Sequence, residues 1–339
     1  PLVKTVVGRL AMTLPSHVAA LLNLTGQRLP IIQAPIGGAA THDLVSAVCR
    51  SGGMGALALT WDTPDGAAAR VSAQRAATPG AAFLANFVLH FPCEALDAAL
   101  EAGVPVVTFS WGIDAARIAR CHRAGARVGV QVGSAEGARQ AIAAGADFVI
   151  AQGVEAGGHV QSTTPLATLL PQVLAVAGDR PVVAAGGIAS TAAILRAMTA
   201  GAAGVMLGTR FLATRESAAH PDYKAALVAA KAEDTAFTNC FDGDWPFAMH
   251  RVLRNSTFTA WEAAGSPPPP HRPGEGDVVF RQKGTDHLRY NDDTPGPDAT
   301  GDLLGACLYA GTSVEDIDRI EGAGDLVARL GTQIMAAFE

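Results

Sequence analysis

The sequence predicts an α/β protein: a closed (β/α)8 barrel of the TIM type, followed by a second, smaller and mainly helical domain. Three observations predict it. Short Val- and Ile-rich runs alternate with Ala-rich amphipathic stretches from residue 31 to residue 212. The runs are continuously apolar, as strands buried on both faces of a parallel sheet are. There are eight of them, the number that closes a barrel and disfavours an open, doubly wound sheet.

The first segment, "PLVKTVVGRLAMTLPSHVAALL", has two basic residues but no clean apolar stretch leading to a small-residue cleavage site. It predicts a helix ahead of the first strand rather than a secretion signal, and a cytoplasmic location. The strands then read "IIQAPI" (31–36), "GALALT" (55–60), "FLANFVL" (83–89), "VPVVTFSWG" (104–112), "RVGVQVG" (127–133), "ADFVIAQGV" (146–154), "PVVAAGGI" (181–188) and "GVMLGTRFL" (204–212). Between them, stretches such as "DAARIARCHRAG" and "SAEGARQAIAAGA" repeat apolar residues three and four apart, and Gly103, Gly125 and Gly145 stand where helices end. Near residue 222 the rhythm stops. Residues 1–222 are therefore read as the barrel and 223–339 as a smaller domain beside or over its mouth. Prolines 267–270 predict an extended, stiff connector, and the last stretch returns to helical periodicity.

Composition narrows the function classes. Nearly half of the 339 residues are hydrophobic, 17% are charged, and the net charge of −6 argues against nucleic acid or an anionic membrane as partner. No apolar run reaches the ~18 residues of a membrane span. Five scattered cysteines with no CxxC pair fit a reducing compartment. Gly53-x-Gly55 precedes a strand instead of following one, so it is no dinucleotide fingerprint. The acidic groups at 242–244 and 291–293 lack calcium-loop spacing and read as solvated turns. No metal site is expected.

Barrel chemistry collects where strands end, and the strand ends here carry amides, hydroxyls and glycines. Gln33, Ala34, Pro35 and Ile36 follow the first strand, Asn86 sits on the third, and Ser110, Trp111 and Gly112 end the fourth. Gln131, Gly133 and Ser134 end the fifth. The sixth leads into "IAQGVEAGGHV", which delivers Gly157, Gly158 and His159. Gly186 and Gly187, with Ser190 as a helix N-cap, follow the seventh, and Gly208 and Thr209 the eighth. Paired glycines before a helix let backbone N–H groups approach an anion, and barrels commonly hold phosphate between strands seven and eight. Close helix–strand packing also selects glycine. A phosphate at one end and a neutral, amide-lined slot in the centre suggest flavin mononucleotide (FMN). Glu155 reads as bonding backbone within its turn, Ser134 as an N-cap before "AEGARQ", and Trp111 as either pocket wall or core. His250, in the second domain, is left out of the site.

"QAPI", "AQGVEAGGHV", "PVVAAGGIAS" and "GAAGVMLGTRFLAT", in that order, resemble the nitronate monooxygenases, formerly 2-nitropropane dioxygenases. The resemblance spans residues 28–222 and extends through "HRVLRN" and "LYAG". It implies an FMN-dependent barrel with His159 as the catalytic residue, acting as base or hydrogen-bond donor. Ala34, Pro35, Asn86, Gln131, Gly157, Gly158, Gly187, Gly208 and Thr209 would contact the flavin, joined by Ile36 and Gly186 from the strand-end reading. It further implies that a bound nitronate gives one electron to the flavin and that O2 completes a reaction yielding a carbonyl compound and nitrite. An imidazole near its ordinary pKa of ~6.5 suits either role. Two departures stand out: Ile36 where QAPM is common, and Gln161 where many relatives have glycine. An NAD(P)H-dependent quinone or enoyl-acyl-carrier-protein reductase of the same fold, and a non-catalytic flavin- or phosphate-binding barrel, are the alternatives. The quaternary state is open, a homodimer included.

Overall fold

The computed structural model describes residues 14–243 and 245–338. Helix α1 (Ser16–Thr25) is the helix expected ahead of the first strand; the part of that expectation on residues 1–13 lies outside the described residues. The barrel strands are β1 (Ile31–Gln33), β2 (Gly55–Ala58), β3 (Phe83–Val88), β4 (Val106–Ser110), β5 (Arg127–Val132) and β6 (Phe148–Gln152). A two-residue strand, β7 (Gly158–His159), leaves the barrel before β8 (Val182–Ala185) and β9 (Gly204–Leu207) complete it. Each strand is shorter than the apolar run that announces it. The leftover residues at the C-terminal ends are the glycines and polar groups that turn the chain out at the mouth.

Helices α2 (His42–Arg50), α3 (Pro64–Ala77), α4 (Leu96–Glu101), α5 (Ala115–Arg123), α6 (Ala135–Ala143), α7 (Leu166–Ala177) and α8 (Thr191–Thr199) cover the outside, and a single turn, α9 (Thr209–Leu212), follows β9. Their starts are set locally. Thr41, Thr63, Asp114, Ser134 and Ser190 each accept a hydrogen bond from a backbone N–H of the first helical turn, satisfying donors that the helix itself cannot. Ser134 and Ser190 thus have the capping roles expected of them.

The eight strands run parallel in the order β1-β9-β8-β6-β5-β4-β3-β2. The ring closes between β1 and β2 through one bridge, Ile32 to Met54, flanked by N–H···O bonds of 2.9 Å from Gln33 to Met54 and from Met54 to Ile31. Gln33, fully buried, adds its side chain: Oε1 accepts from the Ala56 N–H at 2.8 Å. Strand one's glutamine therefore fastens the barrel and does not line its mouth. Ile32, Met54, Leu84, Val106, Phe148, Ile150 and Val183 fill the interior, so the barrel is a packed core.

After β9 the chain makes a long excursion. It forms α10 (Pro221–Ala229), β10 (Thr235–Thr238), β11 (His250–Leu253), α11 (Ser256–Ala263), β12 (Val278–Gln282), β13 (Thr285–Leu288) and β14 (Thr300–Gly301) before helix α12 (Ala323–Ala337). The 222/223 boundary read from the sequence falls just inside α10. Strands β10, β11 and β7 make one antiparallel sheet, so the excursion pairs directly with the turn leaving β6. The proline run is not a straight connector: the Pro268 carbonyl accepts from the His271 N–H, closing a turn, and the Trp261 indole N–H donates to Pro267.

Helix α12 returns to the barrel. Leu326, Val327, Leu330 and Ile334 are fully buried in the main core, against α2 and α8. The return is pinned by Glu321, which pairs with the buried Arg210 of α9 and, at 2.6 Å, with Arg329 of α12. Removing one member of a buried pair leaves an uncompensated charge. Glu321→Ala should therefore lower unfolding stability by roughly 3 kcal/mol, read as a drop in the urea midpoint with an unchanged m value.

Candidate active site

The C-terminal ends of the eight barrel strands meet at a single cavity of about 580 Å³, seven strands lining it directly and β1 through the residue that follows it. Ala34, Ala58, Asn86, Ser110, Gln131, Gln152, Ala185 and Met206 mark the eight contributions. The cavity also collects every cofactor or catalytic residue named from the sequence: Ala34, Pro35, Ile36, Asn86, Gln131, Gly157, Gly158, His159, Gly186, Gly187, Gly208 and Thr209.

The glycines divide by cause. A Cβ at Gly157 would stand 2.5 Å from the Gly311 nitrogen and 2.7 Å from the Ala310 carbonyl carbon, so Gly157 is required by the excursion packing on it. Gly158 has φ +77°, a left-handed conformation that L side chains disfavour, and nothing lies within 4 Å of where its Cβ would be. Gly38 and Gly208 have neither constraint. A Cβ on Gly38 meets nothing, and one on Gly208 makes only ordinary contacts with Ala34 and Ile36 at 3.6 and 3.8 Å. Both border the cavity. The protein's own packing does not account for these two glycines.

His159 sits on β7, its carbonyl accepting from Gln152 Nε2 at 3.2 Å, while Gln152 Oε1 accepts from the Gln161 N–H at 3.0 Å. One amide at the end of β6 thus brackets the turn. Gln161 Oε1 in turn accepts from Gln131 Nε2 at 3.0 Å, which orients that cavity amide. Thr209 Oγ1 accepts from the Gly311 N–H at 3.0 Å and still has its own proton to donate. The His159 ring lies among Trp245 (4.6 Å between centroids), Tyr309 (5.4 Å), His250 (5.6 Å) and Trp111 (6.4 Å).

His159 Nε2 is buried with no hydrogen-bond partner, and the nearest carboxylate oxygen, Asp292 Oδ2, is 3.8 Å away. A buried polar atom left in this state costs free energy unless a ligand completes it. Burial pushes the imidazole pKa down to about 3, with the neighbouring His250 adding to the shift. The ordinary value of ~6.5 expected from the sequence is therefore corrected: desolvation keeps His159 neutral. His250 is fully buried, and burial likewise lowers it to about 4. Its Nε2 accepts from the Phe241 N–H and its Nδ1 bonds the Ala248 carbonyl, so it supports the site from behind without lining it.

Glu155 accepts from the Leu166 N–H through both carboxylate oxygens (3.1 and 2.9 Å), capping α7, which has no side-chain cap of its own. Glu155 does bond backbone as the sequence reading had it, but at the start of α7, eleven residues on, and not within its own turn. Trp111 lines the cavity, and its φ of 58° is unusual for so bulky a residue, at a cost of ~1–3 kcal/mol. Gly133 packs on the Gln161 backbone and lies outside the cavity wall. Nothing in the sequence reading singled out Gly38, Gln152, Trp245 or Tyr309, and the acidic group at 291–293, read as a solvated turn, instead brings Asp292 and Asp293 to the cavity wall. Only Gln152 had a signal, its place at the end of the sixth strand.

The family model described as nitronate monooxygenase matches residues 19–97 and 92–333. A nitronate monooxygenase of Paraburkholderia phytofirmans is 33% identical over 308 residues, covering 76% of this chain and 82% of that protein. A (3aS,4S,5R,7aS)-5-hydroxy-7a-methyl-1-oxo-octahydro-1H-indene-4-carboxyl-CoA dehydrogenase of Mycobacterium tuberculosis is 39% identical over 253 residues, covering 72% and 68%. The nitroalkane oxidase structure from Streptomyces ansochromogenes superposes with a TM-score of 0.74 at 32% identity, covering 94% of this chain and 98% of that one.

The two depressed histidines have a consequence for stability. Below pH ~6.5 the unfolded chain binds protons at both positions and the folded chain does not, so stability falls as pH falls. The loss should approach roughly 2 kcal/mol per histidine between pH 7.5 and pH 5. Urea titrations across that range should show it, and His159→Asn should remove about half of this part.

Proposed function

Because this chain belongs to the nitronate monooxygenase family, we propose that it oxidises alkyl nitronates with O2 to a carbonyl compound and nitrite, with FMN as its cofactor. The observation that carries the reading is His159: a neutral imidazole with an uncommitted, buried Nε2 in a cavity whose barrel side is walled by amides, hydroxyls, glycines and apolar groups.

The residues present fit the flavin. Gly186 and Gly187, after β8, and Gly208 and Thr209, after β9, would hold its phosphate through backbone N–H groups and the threonine hydroxyl. Ala34, Pro35, Ile36, Asn86, Gln131, Gly157 and Gly158 would border its ring, and the open faces of Gly38 and Gly208 leave room for it. When bound, FMN would supply the electron acceptor, a role no side chain here can fill.

His159 orients the substrate. A carboxylate 3.8 Å from Nε2 favours the tautomer with its proton on that nitrogen, and Nε2–H then donates to a nitro oxygen. A neutral imidazole with so low a pKa is a weak proton acceptor. The site therefore suits a nitronate, which has already lost its Cα proton, better than a neutral nitroalkane. The aromatic rings around His159 exclude water and leave that hydrogen bond unscreened.

The dehydrogenase relative acts, by its name, on a carboxyl-CoA thioester. Coenzyme A carries several phosphate charges, and no lysine or arginine lines the cavity among the described residues. That weighs for the smaller substrate.

Under anaerobic conditions, propane-2-nitronate alone should bleach the flavin absorbance of the purified protein, and NADH or NADPH should not. Bleaching by the nicotinamides alone would instead establish the reductase. His159→Asn should retain flavin and lower kcat/KM for propane-2-nitronate by about 10²-fold or more; loss of the flavin with the activity would show that the histidine serves binding.

A further inference from the structure

The cavity has two chemically distinct halves. Its inner half is the amide- and glycine-lined slot already described. Its outer half is a continuous run of rings leading from the rim to the proposed reacting centre. Trp61 and Phe91 are 5.3 Å apart, Phe91 and Trp245 5.0 Å, Trp245 and Trp111 4.6 Å, and Trp245 and His159 4.6 Å, with Tyr309 on the far side of His159 at 5.4 Å. These five aromatic residues come from five separate places: the ends of β2, β3 and β4, and two segments of the excursion.

Two further observations point to a ligand. Trp61 is 65% exposed while forming part of the cavity wall, so a large apolar surface stands in water at the entrance. Trp111 stands beside Trp245 with a left-handed backbone, a strained conformation for so bulky a residue. Charge limits what can enter. No cationic side chain lines the cavity among the described residues, whereas Asp292 and Asp293 do. Asp293 bonds His287 Nδ1 at 2.8 Å and Asp292 lies by His159, so both carboxylates are placed within the protein's own structure.

We propose that the outer half is a subsite for a flat, uncharged ring borne by the substrate, and that Trp61, Phe91 and Trp245 select it. Ring faces recognise rings by stacking and edge contacts and by the apolar area they cover. A second anionic group on the substrate, such as a carboxylate, would find no lysine or arginine to receive it among the described residues that line the cavity. This deepens the nitronate reading and rests on it for what reacts, since the ring would be carried on the nitronate carbon.

Calorimetric titration of the purified protein with acetophenone, benzoate and benzylammonium tests the subsite without turnover. These three ligands share a ring and differ in charge. The neutral ketone should bind about tenfold tighter than either ion, and Trp61→Ala should weaken it by about tenfold. Trp61 is exposed, so this variant folds; Phe91→Ala should act in the same direction. Tightest binding by benzylammonium would overturn the proposal in favour of a cation site. Equal binding of all three, or indifference to both substitutions, would also overturn it. Because acetophenone has no nitro group, its binding stands apart from the nitronate assay. Ring binding with no nitronate oxidation would defeat the reaction and keep the subsite, and oxidation of propane-2-nitronate with no ring binding would do the reverse.

Discussion

A main-chain contact between two glycines sets the geometry of the whole site. Gly157 and Gly311 approach so closely that a Cβ on either would collide with backbone of the other segment. The contact is locked on both sides: Thr312 N–H donates to the Glu155 carbonyl at 3.0 Å, and Gly311 N–H donates to Thr209 at 3.0 Å. Three distant parts of the chain, the turn after β6, the end of β9 and residues 309–312, therefore meet at one point. Tyr309 arrives beside His159 as a result, and the pairing of β7 with β11 brings His250 behind it. Without the two glycines, the excursion would ride away from the barrel and the cavity would lose one wall.

Electrostatically the site is quiet, and that follows from how it is built. Helices and strands aim backbone dipoles, amides and one neutral imidazole into the cavity, while the strong ion pairs, such as Arg210 with Glu321 and Arg272 with Asp242 and Glu275, lie elsewhere and hold the fold. Apart from Asp292 and Asp293, which come from the excursion, the wall is uncharged and adds no desolvation cost of a buried charge. The burial that keeps His159 neutral also removes competing water from its open nitrogen. Rigidity supplies orientation here, and uncharged donors supply polarity.

The barrel was legible because strand burial leaves a period in the sequence. All eight apolar runs became strands in parallel register, and the polar residues just past them became the cavity rim. His159 and its glycines were legible for the same reason: their address at a strand end limits what they can do. Three things were hidden. Gln33 reads as a mouth residue, but being fully buried it bonds β2 instead, and composition cannot report which way an amide turns. The depressed pKa of His159 comes from burial, with His250 adding to it, and His250 belongs to an aperiodic region whose packing no local pattern encodes. The reason for Gly157 is a tertiary contact over 150 residues away in sequence. The last helix shows the limit clearly. Its periodicity announces a buried face, but not that the face belongs against α2 and α8.

That last helix gives the molecule an order of assembly. The outer ring of helices has a gap beside α2 until residues 323–337 fill it, and those residues follow an excursion of more than a hundred from the end of β9. During synthesis the eight strands emerge long before the helix that covers their seam, so apolar surface on β1, α2 and α8 stays open to solvent while the excursion is made. Closing so long a loop adds little free energy beyond closing a shorter one, because the entropic term grows only with the logarithm of length, but it places the decisive contacts far apart along the chain and so slows their formation. The Gly157–Gly311 contact is on the same schedule, since Gly311 belongs to the final tenth of the chain. A nascent barrel therefore has the glycines that end β8 and β9 before it has the cavity wall that Tyr309 brings.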